Sequence, residues 1–491
     1  MRMGDVEAAR PVRVAVVGGG ITGLAAAHAL LSPRPESTDP ESSDPDPESD
    51  RGGAADADHR FDVTVFEAQD RLGGKIRTSP FAGIDAVDEG PDAFLARVPG
   101  ATGFARRLGM GESLVSPASG SAAVWWHGLQ PIPPGLLLGL PTDLRKLART
   151  KLISWPGKLR AATEVLRSTT SLEPDSIGAF VRTRFGDEVH ERLVDPLVGS
   201  IYAADTDRFS LTAVPQLADL ALAGRSVLMS ARRRPATSVD DGPVFAAPIG
   251  GVGSLVQVAG ERIIEMGGVV RVGQPCTKLD AAGSGWRVDG EPFDAIVLAC
   301  PATQAARLLA GDAAADGLSR IQYADVVMVT LAVAADTWPD RLRGLSGYLV
   351  PKPMQRLVTA ASFGSQKWSH WRAAATAGRP DQVVLRISLG RDGLPVLHLD
   401  DEQLIDAAVN EVGAHIGVDL QPTDVRVTRW QRAFPQYRPH HHRLVAEVSM
   451  LLPDSVVIAG ASYHGIGIPA CIRSAEGAAT MLRQRTRTAL A

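Results

Sequence analysis

Val14-Ala15-Val16-Val17-Gly18-Gly19-Gly20-Ile21-Thr22-Gly23-Leu24-Ala25-Ala26-Ala27 is a β-branched apolar run, three glycines, a fourth three places on, and a strong helix former. The pattern predicts a strand, a tight turn and a helix. Gly18 allows the turn, Gly20 lets a pyrophosphate approach the backbone, and Gly23 lets helix and strand pack closely. The helix N-terminus at Ile21 and Thr22 offers unpaired N–H groups to phosphate, so Gly18, Gly19, Gly20, Ile21, Thr22 and Gly23 are candidate dinucleotide contacts. A G-x-G-x-x-G string is weak by itself, and its neighbours decide the reading.

A second strand, Val63-Thr64-Val65-Phe66, ends in Glu67, whose carboxylate is placed to accept hydrogen bonds from ribose hydroxyls. Glu67 lies 44 residues beyond Gly23, against roughly 20 in the usual fingerprint. Residues 33–59, rich in Pro, Ser, Asp and Glu, account for the excess: without those 27 residues the gap is 17. This acidic stretch reads as a solvated, disordered insertion, since it cannot bury enough apolar surface to fold; a partner-binding tail is the alternative.

After Glu67 the chain continues Ala68-Gln69-Asp70-Arg71-Leu72-Gly73-Gly74-Lys75-Ile76-Arg77-Thr78, and then Glu89-Gly90-Pro91-Asp92-Ala93-Phe94. Here it resembles the flavin-dependent amine oxidase superfamily, whose R-x-G-G-[KR] signature follows the ribose acid and lies along the diphosphate and flavin. The resemblance implies non-covalent FAD bordered by Glu67, Ala68, Arg71, Gly74, Lys75, Gly90, Pro91, Asp92 and Ala93. Gly73 and Gly74 permit close backbone approach, and Arg71 or Lys75 supplies positive charge beside a phosphate. Near the C-terminus, Ser455-Val456-Val457-Ile458-Ala459-Gly460 predicts a strand, followed by Gly465-Ile466-Gly467-Ile468-Pro469-Ala470-Cys471 and a helix. In the superfamily such a turn closes over the flavin ring, which puts the backbone N–H groups of Ile466, Gly467 and Ile468 near its pyrimidine edge. The helix N-terminus favours negative charge there.

Between these ends the chain is similar to the porphyrinogen oxidases of haem biosynthesis. The carrying segments are Pro131-Ile132-Pro133, Gly139-Leu140-Pro141, Val194-Asp195-Pro196-Leu197-Val198-Gly199-Ser200-Ile201-Tyr202-Ala203, and Gly250-Gly251-Val252-Gly253-Ser254-Leu255. Within that family it looks most like the bacterial coproporphyrinogen III oxidases. Some protoporphyrinogen oxidases place an arginine where Ala122 or Ala123 stands. The resemblance implies a six-electron oxidation of a porphyrinogen in three flavin rounds, with dioxygen as acceptor and hydrogen peroxide as product. It names no catalytic acid or base, because the flavin carries the hard step. It also places Trp430 beside the flavin and the backbone at Cys276 beside adenine, and implies a haem-pathway ferrochelatase as partner. Propionate anchors would come from Arg182, Arg184, Lys352 or Arg443. Protoporphyrinogen IX oxidation is the first alternative; another amine oxidase, a carotenoid desaturase, and a tetrapyrrole carrier without turnover remain open.

The 491 residues, 45% hydrophobic and 22% charged, suffice for two or three domains. A net charge of −4 argues against nucleic acid as a partner. No apolar run approaches a membrane span and no leader precedes the first strand, so the protein is expected to be soluble and cytoplasmic. Three scattered cysteines, Cys276, Cys300 and Cys471, give neither a disulfide framework nor a zinc site. Three adjacent histidines, His440, His441 and His442, cannot converge on one metal from a strand, so no metal is expected. The fold class is α/β: a Rossmann-like FAD-binding domain, a mixed-sheet substrate domain and a helical subdomain. The FAD domain is assembled from residues 11–98, 244–302 and 443–491, with 99–225 the helical subdomain and 303–440 the substrate domain. Arg145, Lys146, Arg149, Lys151, Lys158 and Arg160 beside Leu136-Leu137-Leu138 read as a solvated face, with peripheral membrane contact as the alternative.

Overall fold

The strand Val12–Val17 lies at the centre of a five-stranded parallel sheet, in the order Val269–Arg271, Phe61–Phe66, Val12–Val17, Ala295–Leu298, Val456–Ile458. Parallel sheets are covered on both faces, which is why these strands are continuous apolar runs without alternation. This computed structural model describes residues 10–33, 61–166, 171–222, 226–233, 242–371 and 381–490. The acidic insertion expected at 33–59 lies, apart from Pro33, outside the described residues.

The predicted helix runs Ile21–Leu31 and is buried almost all round, against the helices Val252–Glu265 and Ile468–Leu490. Gly23 has no alternative here: a Cβ on it would sit 1.9 Å from the Gly18 carbonyl oxygen. Residues far apart in sequence thus build one α/β layer, with elements from all three segments assigned to it above.

A second sheet has seven strands, ordered Pro422–Gln436, Gln322–Ala334, Gln382–Leu389, Val358–Phe363, Leu345–Leu349, Ser121–Trp125, Leu129–Pro131. On one face Val327, Val329, Leu331, Leu385 and Ile387 pack against Leu404, Ala408 and Val412 of the helix Asp401–Ile416. That helix starts at a capping box, Asp400 with Gln403, and stops at Gly417 in the left-handed conformation. Register sets the other face. Arg386 and Arg426 both lie opposite Thr330, Thr428 lies opposite Met328, and Trp430 opposite Val326, so four polar or aromatic residues look toward the first sheet.

The segment 99–225 divides differently from the expectation of one helical unit. Pro99–Arg107 buries Ala101, Phe104 and Ala105 in the core of the dinucleotide layer, and Ser121–Trp125 and Leu129–Pro131 join the seven-stranded sheet. The pairing of Ser121–Trp125 with Leu345–Leu349 is parallel and spans more than 200 residues, a contact that local periodicity cannot carry. The helical body itself runs from Leu144–Arg149 to Val227–Arg233 around Phe180, Phe185, Leu193, Phe209 and Leu217.

This body includes a π-helical stretch, His190–Gly199, with Pro196 inside it. Asp195 on that stretch is wholly buried and takes a bidentate pair from Arg391, at 2.9 and 2.8 Å, and a third bond from Thr206 at 2.6 Å. Arg391 follows the strand Gln382–Leu389, so the pair fastens the helical body to the second sheet. Burial pushes the Asp195 carboxyl up, and the bonds from Arg391 outweigh it and hold the pKa below the ordinary value. Asp195→Ala leaves Arg391 as an uncompensated buried charge, and the expected loss is about 3–5 kcal/mol. It is read as a lower thermal midpoint, most of which the apolar double variant Asp195→Leu, Arg391→Met recovers.

Candidate functional site

Gly20 is the N-cap of Ile21–Leu31 and supplies no side-chain cap, so the first-turn N–H groups receive no side-chain partner from it. Beside it the Arg71–Lys75 loop forms a parallel bridge, Gly20 to Gly73, with Gly73 N–H donating to Gly19 O at 2.9 Å. Gly20 and Gly74 face each other as bare backbone: a Cβ on Gly74 would stand 3.7 Å from the Gly20 Cα. Glu67 is buried at the end of its strand, its two oxygens accepting from Gly19 and Gln69 N–H at 2.8 Å each. Each oxygen keeps a second lone pair for a hydroxyl. Cys276 lies on the neighbouring segment, which donates from Gln274 N–H to Glu67 O at 2.9 Å. Burial pushes the Cys276 thiol up to about 12, which leaves backbone groups to do any binding there. Ala68 is exposed at the rim.

Of the two cations proposed for a phosphate, one is already committed. The Arg71 guanidinium donates to Leu72 O (3.1 Å), Ile76 O (3.0 Å) and Gly74 O (2.8 Å), so it shapes its own loop. Lys75 is different. Its ammonium lies 5.5 Å from the centre of the Tyr323 ring, and burial lowers its pKa to about 8, opposed by the nearby Cys471 thiol. Cys471, in the C-terminal helix, lies beside Thr22 of the first helix and Lys75, which oppose the upward push of burial on its thiol. A Cβ on Gly460 would sit 3.2 Å from the Thr22 hydroxyl. The two glycine turns, more than 400 residues apart, therefore meet at Thr22, Cys471 and Lys75. Ile468 begins the helix Ile468–Leu490, Gly467 is exposed, and Ile466 packs on the helical body.

The Gly90-Pro91-Asp92-Ala93 turn closes this recess from the other side. A Cβ on Gly90 would lie 2.4 Å from Lys75 O and 3.3 Å from the Trp430 ring, and Trp430 donates from Nε1 to Glu89 O at 2.9 Å. Trp430 thus lies against the Gly90 turn. The Asp92 side chain turns away from it: it accepts both bonds from Lys367 at 2.9 Å and one from Trp368 at 3.2 Å, with Arg386 at 3.2 Å. Burial pushes its pKa up, yet Lys367 and Arg386 hold it well below the usual carboxylate range. Sequence reading missed Tyr323, whose hydroxyl accepts from Ala302 N–H and pairs with Ser462, each at 2.8 Å. It also missed Lys367 and Arg386. Nothing local marks these residues, since their partners lie on other elements.

The candidate cationic anchors are mostly taken. Arg182 pairs with Asp207, Asp187 and Glu191; Arg184 is buried beside Glu164; Lys352 binds Asp205 at 2.8 Å. Arg443 stays exposed. Ala123 is buried under the second sheet. The three histidines sit at a helix start instead of on a strand: His440 caps His441–Leu451 in the left-handed conformation, and His441 stacks on Tyr437. Among the described residues, no three of His, Cys, Asp and Glu gather as a metal site.

An uncapped helix N-terminus, a bare Gly20–Gly74 wall, a buried acid with free lone pairs and a half-buried lysine together fit FAD. The comparisons agree. The family model described as flavin containing amine oxidoreductase matches residues 21–482. The coproporphyrinogen III oxidase of Bacillus subtilis is 30% identical, over 95% of this chain and 96% of its own. That of Mycobacterium leprae is 32% identical, over 95% and 97%. A crystal structure from Exiguobacterium sp., named "Putative protoporphyrinogen oxidase", superposes with a TM-score of 0.78 at 27% identity, covering 97% of this chain and 99% of that one.

Lys75→Met is expected to weaken FAD binding about tenfold or more, the worth of one hydrogen bond to a charged group. A bound anion raises the lysine pKa above its FAD-free value of about 8. The favourable contact is then complete below pH 8 and lost as pH rises through the raised value. Titration of the deflavinated protein with FAD at several pH values checks both, and the alkaline weakening should vanish in Lys75→Met.

Proposed function

The chain belongs to the flavin-containing amine oxidoreductase family, and from that premise we propose that it oxidises coproporphyrinogen III to coproporphyrin III in haem biosynthesis. What carries the reading is likeness along nearly the whole chain to coproporphyrinogen III oxidases, at 30–32% identity, in a protein whose flavin-side elements converge on one recess. The bound flavin supplies a two-electron acceptor, so a six-electron oxidation takes three rounds, with dioxygen as the terminal acceptor and hydrogen peroxide as product.

The residues of this chain hold, orient and exclude. In this reading Gly18–Gly23 and the first-turn N–H groups hold the pyrophosphate, Glu67 the ribose, the Cys276 segment the adenine, and Lys75 a negative charge. Gly90, Pro91 and Ala93 border the flavin from the turn after Ile84–Asp88, Trp430 from the second sheet, and Ile466–Ile468 from the turn that opens the C-terminal helix. Apolar groups of the helical body around Leu136, Leu137, Leu138, Tyr202 and Ile466 keep water from the porphyrinogen. No side chain is assigned as an acid or base.

Among the described residues no helix is long and apolar enough to cross a membrane. We assign the protein to the cytoplasm, with product passed to a ferrochelatase. Exposed Trp155, Leu159 and Leu166, with Lys158 at 4.8 Å from the Trp155 ring, offer the surface for any peripheral contact.

One observation favours protoporphyrinogen IX instead: Arg182, Arg184 and Lys352 are held by carboxylates, which leaves fewer anchors for four propionates than the sequence offers. Anaerobically prepared coproporphyrinogen III and protoporphyrinogen IX are given separately to the yellow protein in air, following porphyrin fluorescence and peroxide. A higher kcat/KM for coproporphyrinogen, with about three peroxides per porphyrin, is expected. The opposite preference establishes the second reading, and turnover of neither refutes both.

A further inference from the structure

We propose that Tyr437 is a positioning residue that fixes the glycine turn at the flavin, and that the helical body governs this setting through an aromatic stack. The inference rests on the flavin reading and adds to it a link between the substrate-covering body and the cofactor turn.

Tyr437 follows the long strand Pro422–Gln436 and is 3% exposed. Its hydroxyl donates to Ala461 O and accepts from Gly465 N–H at 2.8 Å. Those two groups stand at either side of the tip of the Gly460–Gly467 turn, in which Gly460, Gly465 and Gly467 all adopt positive φ, at 118°, 120° and 108°. Glycine has the most conformational freedom to lose, so such backbone needs fastening. The base of the loop is tied by Gly460 N–H to Ser474 Oγ at 3.0 Å, Tyr463 N–H to Gly460 O at 3.1 Å and Ser462 to Tyr323 at 2.8 Å, while the Tyr437 oxygen bridges Ala461 to Gly465, the residue just before the proposed flavin contacts Ile466–Ile468.

The ring of Tyr437 stacks with two others. His441 lies at 3.9 Å with planes 9° apart, and Phe209 at 5.7 Å and 12°. Phe209 in turn stacks on Tyr202 at 5.0 Å. Phe209 and Tyr202 belong to the helical body, and Ser210 N–H donates to Tyr437 O at 2.8 Å. Asp175 of the same body accepts from Ser210 Oγ, Thr212 N–H and His440 N–H, which stitches the chain on the far side of Tyr437 to it as well. Any shift of the helical body moves the ring, and the ring carries the hydroxyl that sets the turn. A purely structural tyrosine would need the stack but not the two bonds into the glycine loop.

Tyr437→Phe keeps the stack and removes both bonds, while Phe209→Leu keeps the hydroxyl and the His441 contact and removes the ring that links Tyr437 to the helical body. In the flavin-loaded protein, Tyr437→Phe is expected to lower kcat about tenfold with KM within about twofold, and to speed exchange of the Gly465 amide about tenfold, the worth of one or two hydrogen bonds. The visible flavin band should shift, and Phe209→Leu should move the same three readouts less. Tyr463→Phe removes a buried hydroxyl from the same loop that has no hydrogen-bond partner, and should give wild-type values. Wild-type exchange, spectrum and kcat in Tyr437→Phe overturn the positioning role, and wild-type values in Phe209→Leu overturn control by the helical body. If the thermal midpoint of Tyr437→Phe collapses, Phe209→Leu carries the test on the same readouts. A wild-type protein that binds no FAD refutes the flavin reading itself, an outcome distinct from either.

Discussion

A largely buried charge cluster around the Asp88–Asp92 turn ties the dinucleotide layer to the seven-stranded sheet. Asp92 meets Lys367, Trp368 and Arg386; Glu89 meets Arg77, Ser79 and Thr428; the Gly90 carbonyl accepts from Arg386 and the Glu89 carbonyl from Trp430. The acids follow a hairpin of the dinucleotide layer; Arg386, Thr428 and Trp430 meet them from the seven-stranded sheet, Lys367 and Trp368 from the short helix Gly364–Lys367 and the residue after it, and Arg77 and Ser79 from the hairpin itself. Ion pairs of this kind add little net stability over well-packed apolar groups, since desolvation offsets their attraction. Their geometry is directional, and it is geometry that a recess built from two sheets requires. Asp88 sits at the edge of the cluster, where burial raises its carboxyl to about 6 while it accepts from Thr78 and from Val252 N–H at 2.9 Å. The same acids thus also fix the start of the helix Val252–Glu265.

The third body is attached by a different logic. The Asp195–Arg391 pair and the Asp175 acceptor site are each satisfied several times over, and both carboxyls stay below their ordinary pKa because specific bonds outweigh burial. These contacts fall at two separated points, one near the Gln382–Leu389 strand end and one at the His440 corner. The same body is also joined to the chain after Pro422–Gln436 through Tyr202, Phe209 and Tyr437, stacked ring on ring.

How far the sequence could be read follows from how local each feature is. The strand at Val14–Val17, the helix beginning at Ile21, the acid at Glu67 and the turn at Gly465–Ile468 depend on a few neighbouring residues, and the structure puts each where the pattern predicted. The helical segments within Asp143–Leu166 and Ile177–Val198 carried enough periodicity to be recognised. The expected unity of 99–225 failed at Pro99–Arg107 and Ser121–Trp125, whose partners are the C-terminal helix and Leu345–Leu349. Side-chain roles were the least legible. Asp92, Arg182 and Lys352 have the right charge for a ligand, but each is claimed by a residue distant in the chain, Lys367, Asp207 and Asp205 respectively, while Arg71 is spent on carbonyls of its own loop.

The sequence by itself determined the class of backbone at the cofactor, because a glycine turn, a strand end and a helix N-terminus are set by local sterics and hydrogen-bonding needs. It also determined the family, through the order of those elements along the chain. Only the tertiary structure decided which charges remain available. Coulomb and hydrogen-bond energies depend on what lies within a few ångströms in space, and for Lys75, Asp92 and Tyr437 those neighbours come from segments tens to hundreds of residues away.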